Sequence, residues 1–371
     1  MHIPDFQLER YFARHEFTAR LLLCSSDCET LSVEELLAMS PGAGRELGRL
    51  RLGYTESPGH PELRGAIAGL YSEIRPEDVL GFAGAEEGIF VVMNALLDPG
   101  DHVVVQRPSY QSLSEVARAI GCEVSAWEAD PAGGWELDPD ELRSLLRPNT
   151  RLVVLNCPHN PTGYLMPRER FEAVIGIVRE RGAHLFSDEV YRGLEYDPRD
   201  RLPAACDLYE RAVSLGVMSK TYGLAGLRIG WVASRDRELL ARAAAFKDYT
   251  SICSSAPSEF LATVALRVRD RLVERNLAIV ASNLRLLDRF FAEHRAKLEW
   301  VRPRAGSVAF PRLVAGTGSE RFCEDLVRDK GVLLMPSAKF GYGDAHFRIG
   351  FGRRNMPEAL AVLDEYLRAI G

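Results

Sequence analysis

The 371 residues are 46% hydrophobic and 26% charged, an ordinary globular composition, and the length points to two domains around a shared cleft. A net charge of −6 with both signs interspersed excludes a basic surface built for nucleic acid or an anionic membrane, and no apolar run approaches the roughly 18 residues that a bilayer-spanning helix requires. The start, MHIPDFQLERYFARHEF, lacks the apolar stretch of a secretory signal, and seven scattered cysteines fit a reduced, cytoplasmic chain better than a disulfide framework. Cys24 and Cys28 have no matching second pair, so zinc is not expected.

Along the chain, Pro61 opens a helix whose apolar face is Leu63, Ile67, Leu70, Tyr71 and Ile74. Ala85 to Leu97 reads as a buried helix stopped by Asp98-Pro99-Gly100. His102 to Gln106 is a strand, Ser109 to Ile120 a helix and Cys122 to Trp127 a strand. Asp138 is placed as an N-cap, with Pro139 at the first helical position and Glu141 closing a capping box. Arg151 to Asn156 is a continuous apolar strand, Pro167 starts a helix, and His184 to Asp188, Ala212 to Val217 and Arg228 to Ala233 are further strands. Apolar strands separated by helices predict a mainly parallel α/β sheet covered on both faces, with ligands bound beyond the carboxyl ends of its strands. After residue 255 the pattern becomes α+β. A long helical stretch runs from Pro257 towards Glu293, followed by strands near Glu299 and Ser307 and a helix at Glu320 to Lys330. Strands at Val332 to Met335 and His346 to Phe351 and a last helix from Pro357 complete the chain. The expected division is an N-terminal segment, 1–44, packing with a smaller domain, 256–371, beside a large domain, 45–255.

The rule on strand ends directs attention to Asn156-Cys-Pro-His-Asn160-Pro161-Thr-Gly163, Asp188-Glu-Val-Tyr191 and Ser219-Lys220-Thr-Tyr-Gly-Leu-Ala-Gly-Leu-Arg228-Ile-Gly230. In order and spacing, from Tyr54 to Arg348, this set resembles the fold-type I, class I/II aminotransferases. The resemblance implies a seven-stranded sheet, pyridoxal 5′-phosphate as cofactor, and amino acids and 2-oxo acids as substrates. The residues read the same way. Lys220 follows an apolar strand and precedes a Gly-containing loop, so its amine should project into the crevice, where it can form a Schiff base with an aldehyde and later move a proton. Asp188 ends an apolar strand, a costly place for a carboxylate without a partner, and the implied partner is the protonated pyridine nitrogen.

The resemblance supplies the remaining roles. Asn160 and Tyr191 match the groups that hydrogen-bond the cofactor's phenolic oxygen, and Tyr110 the aromatic ring stacked on the pyridine. Gly84-Ala85-Glu86 lies at a helix start, where free N–H groups favour phosphate, with Ser219 and Arg228 as further ligands. Val217 and Ala85 stand where many relatives carry hydroxyl residues, which puts two phosphate donors in doubt. Tyr54 resembles the tyrosine that reaches a neighbouring subunit's phosphate, which implies a homodimer. Arg348 aligns with the arginine that binds the substrate α-carboxylate. Plainer readings stand beside these: a surface lysine, an N-capping Asp188, turn chemistry at Asn160-Pro161, a core Tyr110, and a surface ion pair for Arg348.

Residues Leu23 to Thr30 are more polar and acidic than the usual substrate loop and resemble family members acting on arginine-derived amino acids, such as capreomycidine synthase. Asp27 or Glu29 could meet a guanidinium there; a solvated loop is the alternative. Transamination therefore competes with elimination or cyclisation at Cβ, as in C–S lyases, and with a non-enzymatic sensor domain, for which no winged helix or basic extension is present. No Gly-x-Gly-x-x-Gly follows the first strand and no Gly-x-Ser-x-Gly elbow occurs, which sets aside dinucleotide-binding and hydrolase readings.

Overall fold

The computed structural model describes residues 2–314 and 318–369. A helix, α1 (Gln7–His15), opens the chain. The central sheet has seven strands: β1 (Val79–Phe82), β2 (His102–Arg107), β3 (Glu123–Glu128), β4 (Thr150–Asn156), β5 (His184–Asp188), β6 (Ala212–Val217) and β7 (Gly230–Ser234). Their spatial order is β1-β7-β6-β5-β4-β2-β3. β7 runs antiparallel to both of its neighbours, and every other pairing is parallel.

Alternation along each strand explains the two covered faces. Val103, Val105, Leu152, Val154 and Phe186 pack to one side with the helix α2 (Ala85–Leu96). Val104, Val153, Leu155 and Leu185 pack to the other with Phe171, Val174, Ile175 and Val178 of the helix Arg168–Arg181. Each such side chain contributes about 1.5–3 kcal/mol on burial, while the edge strand β3 exposes Glu123 and Glu128.

Several local expectations shift. β1 was not expected: it is short, and its Gly81 interrupts the apolar run while donating its N–H to the Pro58 carbonyl at 2.8 Å. The helix from Pro61 ends at Ala68, because the Asp207 carboxylate draws the N–H groups of Ser72 (3.0 Å) and Glu73 (2.9 Å) out of a helical path. Asp138 caps its helix through Asp140 N–H at 2.9 Å, yet Glu141 closes no box. The long C-terminal helical stretch breaks at Val268, giving Ala256–Arg267 and Arg269–Glu293.

The stretch Val332 to Met335 is two short strands. Val332–Leu333 pairs in parallel with Leu21–Leu22, and Met335–Pro336 pairs antiparallel with Phe347–Gly350. Residues 23–29 then cross the strand Phe347–Gly350 at close quarters. Gly350 N–H donates to the Leu23 carbonyl and Glu29 N–H to the Gly352 carbonyl, both at 2.8 Å. A Cβ on Gly350 would overlap the Ser25 carbonyl, and one on Gly352 would lie 2.5 Å from that of Asp27. No helix among the described residues is long and apolar enough to cross a membrane.

Candidate active site

A cavity of about 400 Å³ opens at the carboxyl ends of β5 and β6, where Asp188, Val217, Ser219 and Lys220 meet Tyr110, Asn160, Tyr191, Arg228 and Arg348. Lys220, half-buried, donates its amine to Ser26 Oγ at 2.8 Å. Burial holds its pKa below the ordinary lysine value, Asp27 opposing and Arg348 adding to the shift. Asp188 is 5% exposed, and its Oδ1 accepts from Val190 N–H at 3.2 Å. Burial pushes this carboxyl up to about 7 against the pull of that N–H and of the Lys220 amine. A cation brought opposite Asp188 would restore its charge, and that is what a protonated pyridine nitrogen provides.

Arg348 lies on the strand Phe347–Gly350 at 1% exposure. Its Nε donates to the Cys24 carbonyl and its Nη1 to Asn160 Oδ1, both at 3.1 Å, while Nη2 has no partner among the described residues. A buried guanidinium with an unmet donor in a cavity calls for an anionic acceptor. Asn160 is placed by Asn156, whose Oδ1 accepts Asn160 N–H at 2.7 Å and whose Nδ2 donates to the Asp188 carbonyl at 2.9 Å. Tyr191 lies beside them, but its hydroxyl donates to the Ser26 carbonyl at 3.1 Å. Ser26 thus ties the lysine amine to the tyrosine hydroxyl.

The anion pit lies at the start of α2. Gly84 has φ +104°, and Arg228, itself left-handed at φ +50°, lays its guanidinium against it, so that a Cβ on Gly84 would come within 2.5 Å of Arg228 Nη2. Ala85 and Glu86 at the helix start, Ser219 and the Arg228 fork line the cavity, with Gly84 just behind them, and N–H groups, hydroxyl and guanidinium so gathered could hold a phosphate. Ala85 and Val217 line the cavity and bring no hydroxyl. An aldehyde-reactive amine, a buried carboxylate for a ring cation and this pit together fit pyridoxal 5′-phosphate. Gly230 lets β7 pass beneath: a Cβ there would stand 2.6 Å from Gly84 C and 2.8 Å from Ala85 N. Gly230→Ala is therefore expected to cost about 1–3 kcal/mol of stability and to weaken cofactor retention; melting temperature and dialysis of the loaded protein measure both.

Two expectations need correction. Asp27 lines the cavity with its carboxylate already paired, Arg353 donating to it through Nη2 at 2.9 Å and Nε at 3.2 Å. Glu29 accepts from Arg354 N–H at 2.8 Å and does not line the cavity. Nor is their loop solvated, since Leu23, Cys24 and Cys28 are fully buried. The Glu86 side chain faces the cavity rather than solvent and accepts from Ser112 Oγ at 3.0 Å; burial, reinforced by Glu9 and Asp188, pushes its carboxyl up to about 7. Tyr54 does not join the cavity of its own chain: it is 93% exposed. Tyr110 joins it through its ring, its hydroxyl donating to Glu9 Oε1 at 3.3 Å. The reading of motifs missed Ser26, Arg353, Glu9 and Glu16. Glu9 and Glu16 belong to an N-terminal helix and its C-cap, and no local pattern reveals where such a helix docks.

Comparison with known proteins agrees with this geometry. The family described as aminotransferase class I and II matches residues 19–363. Capreomycidine synthase from Streptomyces vinaceus is 34% identical over 98% of this chain and 94% of its own length. A PLP-dependent aminotransferase structure from Streptococcus suis 89-1591 superposes with a TM-score of 0.94 at 32% identity, covering 100% of this chain and 99% of its own. The PLP-dependent cyclase OrfR superposes with a TM-score of 0.93 at 31% identity, over 100% and 99%.

Proposed function

This chain belongs to the class I and II aminotransferase family, and from that premise we propose that it moves an amino group from an L-amino acid to a 2-oxo acid. Its cofactor is pyridoxal 5′-phosphate. When bound, that group supplies the aldehyde that takes the amino nitrogen and a ring that stabilises negative charge at the substrate Cα. The observation that carries the reading is the convergence of Lys220, Asp188 and the unmet donor of Arg348 in one cavity.

The residues divide the work. Arg348 takes the substrate carboxylate in a two-point grip, and Asn160 fixes the guanidinium plane. The Lys220 amine, its pKa lowered by burial, gives and takes the proton at Cα. Asp188 holds positive charge at the ring nitrogen, and the α2 start, Ser219 and Arg228 hold the phosphate. Tyr191 and Asn160 steady the phenolic oxygen once the tyrosine hydroxyl turns from Ser26. A homodimer with sites at its interface belongs to the same proposal. Exposed Tyr54 stands with Leu52, Tyr249 and Ile252 on a surface whose two segments are joined by Thr55 to the Ser254 carbonyl and by Ser57 to Asp248. The proposed division into 1–44, 45–255 and 256–371 places the cavity where all three parts meet.

A second reading keeps these roles but redirects the reaction to cyclisation or elimination at Cβ; likeness to capreomycidine synthase and OrfR favours it. A half-reaction separates the two. Transamination predicts that an amino acid added without acceptor bleaches the violet absorbance and releases one equivalent of 2-oxo acid, and that a 2-oxo acid restores the band. A product that retains the amino nitrogen, with no 2-oxo acid formed, would decide for the chemistry at Cβ.

A further inference from the structure

The phosphate pit is poor in side-chain donors. Ala85 and Val217 bring no hydroxyl to it, so the grip on an anion there depends on where the first N–H groups of α2 point. The turn that aims them begins at Ala83, whose N–H donates to Glu87 Oε2 at 2.6 Å. Gly84 is the N-cap of α2 and Glu87 its third residue, the position from which an acidic side chain ordinarily reaches back to the N-cap N–H. Here the carboxylate passes the N-cap and takes the N–H of Ala83 instead.

The second oxygen is anchored outside the helix. Glu87 Oε1 accepts from Thr250 Oγ1 at 2.6 Å and from Ser251 N–H at 3.2 Å. That anchor is itself a closed turn. The N–H groups of Thr250 and Ile252 donate to the Lys247 carbonyl at 2.9 and 3.2 Å, and Ile252 is left-handed at φ +64°. The helix Arg237–Lys247 ahead of the turn packs along α2, with Phe246 edge-on to Phe90 at 6.2 Å. Lys247 is fully buried, donates its amine to the Ser57 carbonyl and lies over the Phe82 ring. Burial opposes charge on Glu87, but the hydrogen bonds from Thr250, Ala83 and Ser251 and the Lys247 ammonium outweigh it and hold the carboxyl below its ordinary value. Glu87 is thus an anion with three donors, and it does not line the cavity. Its charge works against a nearby phosphate, so what it contributes to the pit is geometry.

We propose that Glu87 is a positioning residue for the cofactor phosphate: clamped between the Ala83 N–H and the Thr250–Ser251 turn, it fixes the entry to α2 so that the first N–H groups of the helix meet the anion. This rests on the cofactor assigned above and adds a residue that never touches it.

The test titrates cofactor-free protein with pyridoxal 5′-phosphate and with pyridoxal, which lacks the phosphate, reading Kd from the absorbance that condensation with Lys220 produces. In Glu87→Ala, affinity for the phosphorylated form should fall about tenfold or more while that for pyridoxal changes by about threefold or less. Glu87→Gln, whose amide can satisfy only some of the three donors, should fall between, and Thr250→Val, which leaves α2 unaltered, should lower the ratio of the two affinities in the same direction. Inorganic phosphate competing with pyridoxal 5′-phosphate reads the pit without the ring, and its inhibition constant should rise in step. If Glu87→Ala misfolds or pyridoxal binds too weakly to titrate, Glu87→Gln in the phosphate competition decides. Equal losses for both forms, a ratio or inhibition constant left at wild type, or tighter phosphate binding by Glu87→Gln, as loss of a nearby negative charge alone would give, overturns the inference while leaving the cofactor reading intact. A wild-type protein that condenses with neither form sinks both.

Discussion

Lys220→Ala is expected to give a folded protein that is colourless, or holds its cofactor only loosely, with turnover reduced at least 10³-fold, about 4 kcal/mol in barrier height. The fold should survive because, among the described residues, the amine makes a single hydrogen bond, to Ser26 Oγ. The activity should not, because among the described residues no other amine lines the cavity: its remaining cations, Arg228, Arg348 and Arg353, are guanidiniums, which neither condense with an aldehyde nor shuttle a proton near neutral pH. Absorbance of the purified variant, circular dichroism and steady-state rates measure the three parts of this expectation. A yellow, fully active Lys220→Ala protein would remove the central residue from the mechanism.

Asp188→Asn should also fold, since an amide oxygen can still accept from Val190 N–H, yet lose about 10²–10³ in rate, roughly 3–4 kcal/mol, because the charge facing the ring cation is gone. The same substitution makes a pH prediction for cofactor-free protein. Burial raises the Asp188 carboxyl from an ordinary value near 3.8 to about 7. Between those two values the folded chain binds a proton that the unfolded chain does not. Stability from this group is therefore present at low pH and lost as pH rises through about 7. Asp188→Asn removes the penalty, so the cofactor-free variant should melt above wild type at pH 8, with the difference closing toward pH 5. Near wild-type turnover, or no pH dependence in the melting difference, would take Asp188 out of this role.

How much was legible follows from where each residue sits. β2, β4, β5 and β6 were readable because burial on both faces selects unbroken apolar runs, as at Leu152 to Leu155. β1 was not, since four residues containing a glycine carry too weak a pattern. Lys220, Asp188 and Asn160 drew attention because each belongs to a motif at or beside a strand end, and Arg348 through the resemblance; all four line the cavity. The loop from Leu23 to Thr30 was misjudged because composition reports polarity but not partners: Asp27 looked available, and only the fold brings Arg353 to it across more than 300 positions. Glu9 and Glu16 escaped for the same reason, since their part in the site depends on how α1 docks.

The glycines at 350 and 352 have a mechanical consequence. With no side chain to hold residues 25 to 27 away, that loop rides directly on the strand Phe347–Gly350, and the same loop grips both the Lys220 amine and the Tyr191 hydroxyl through Ser26. A side chain at either position would therefore push residues 25 to 27 off the strand and disturb both contacts that Ser26 makes, to the Lys220 amine and to the Tyr191 hydroxyl.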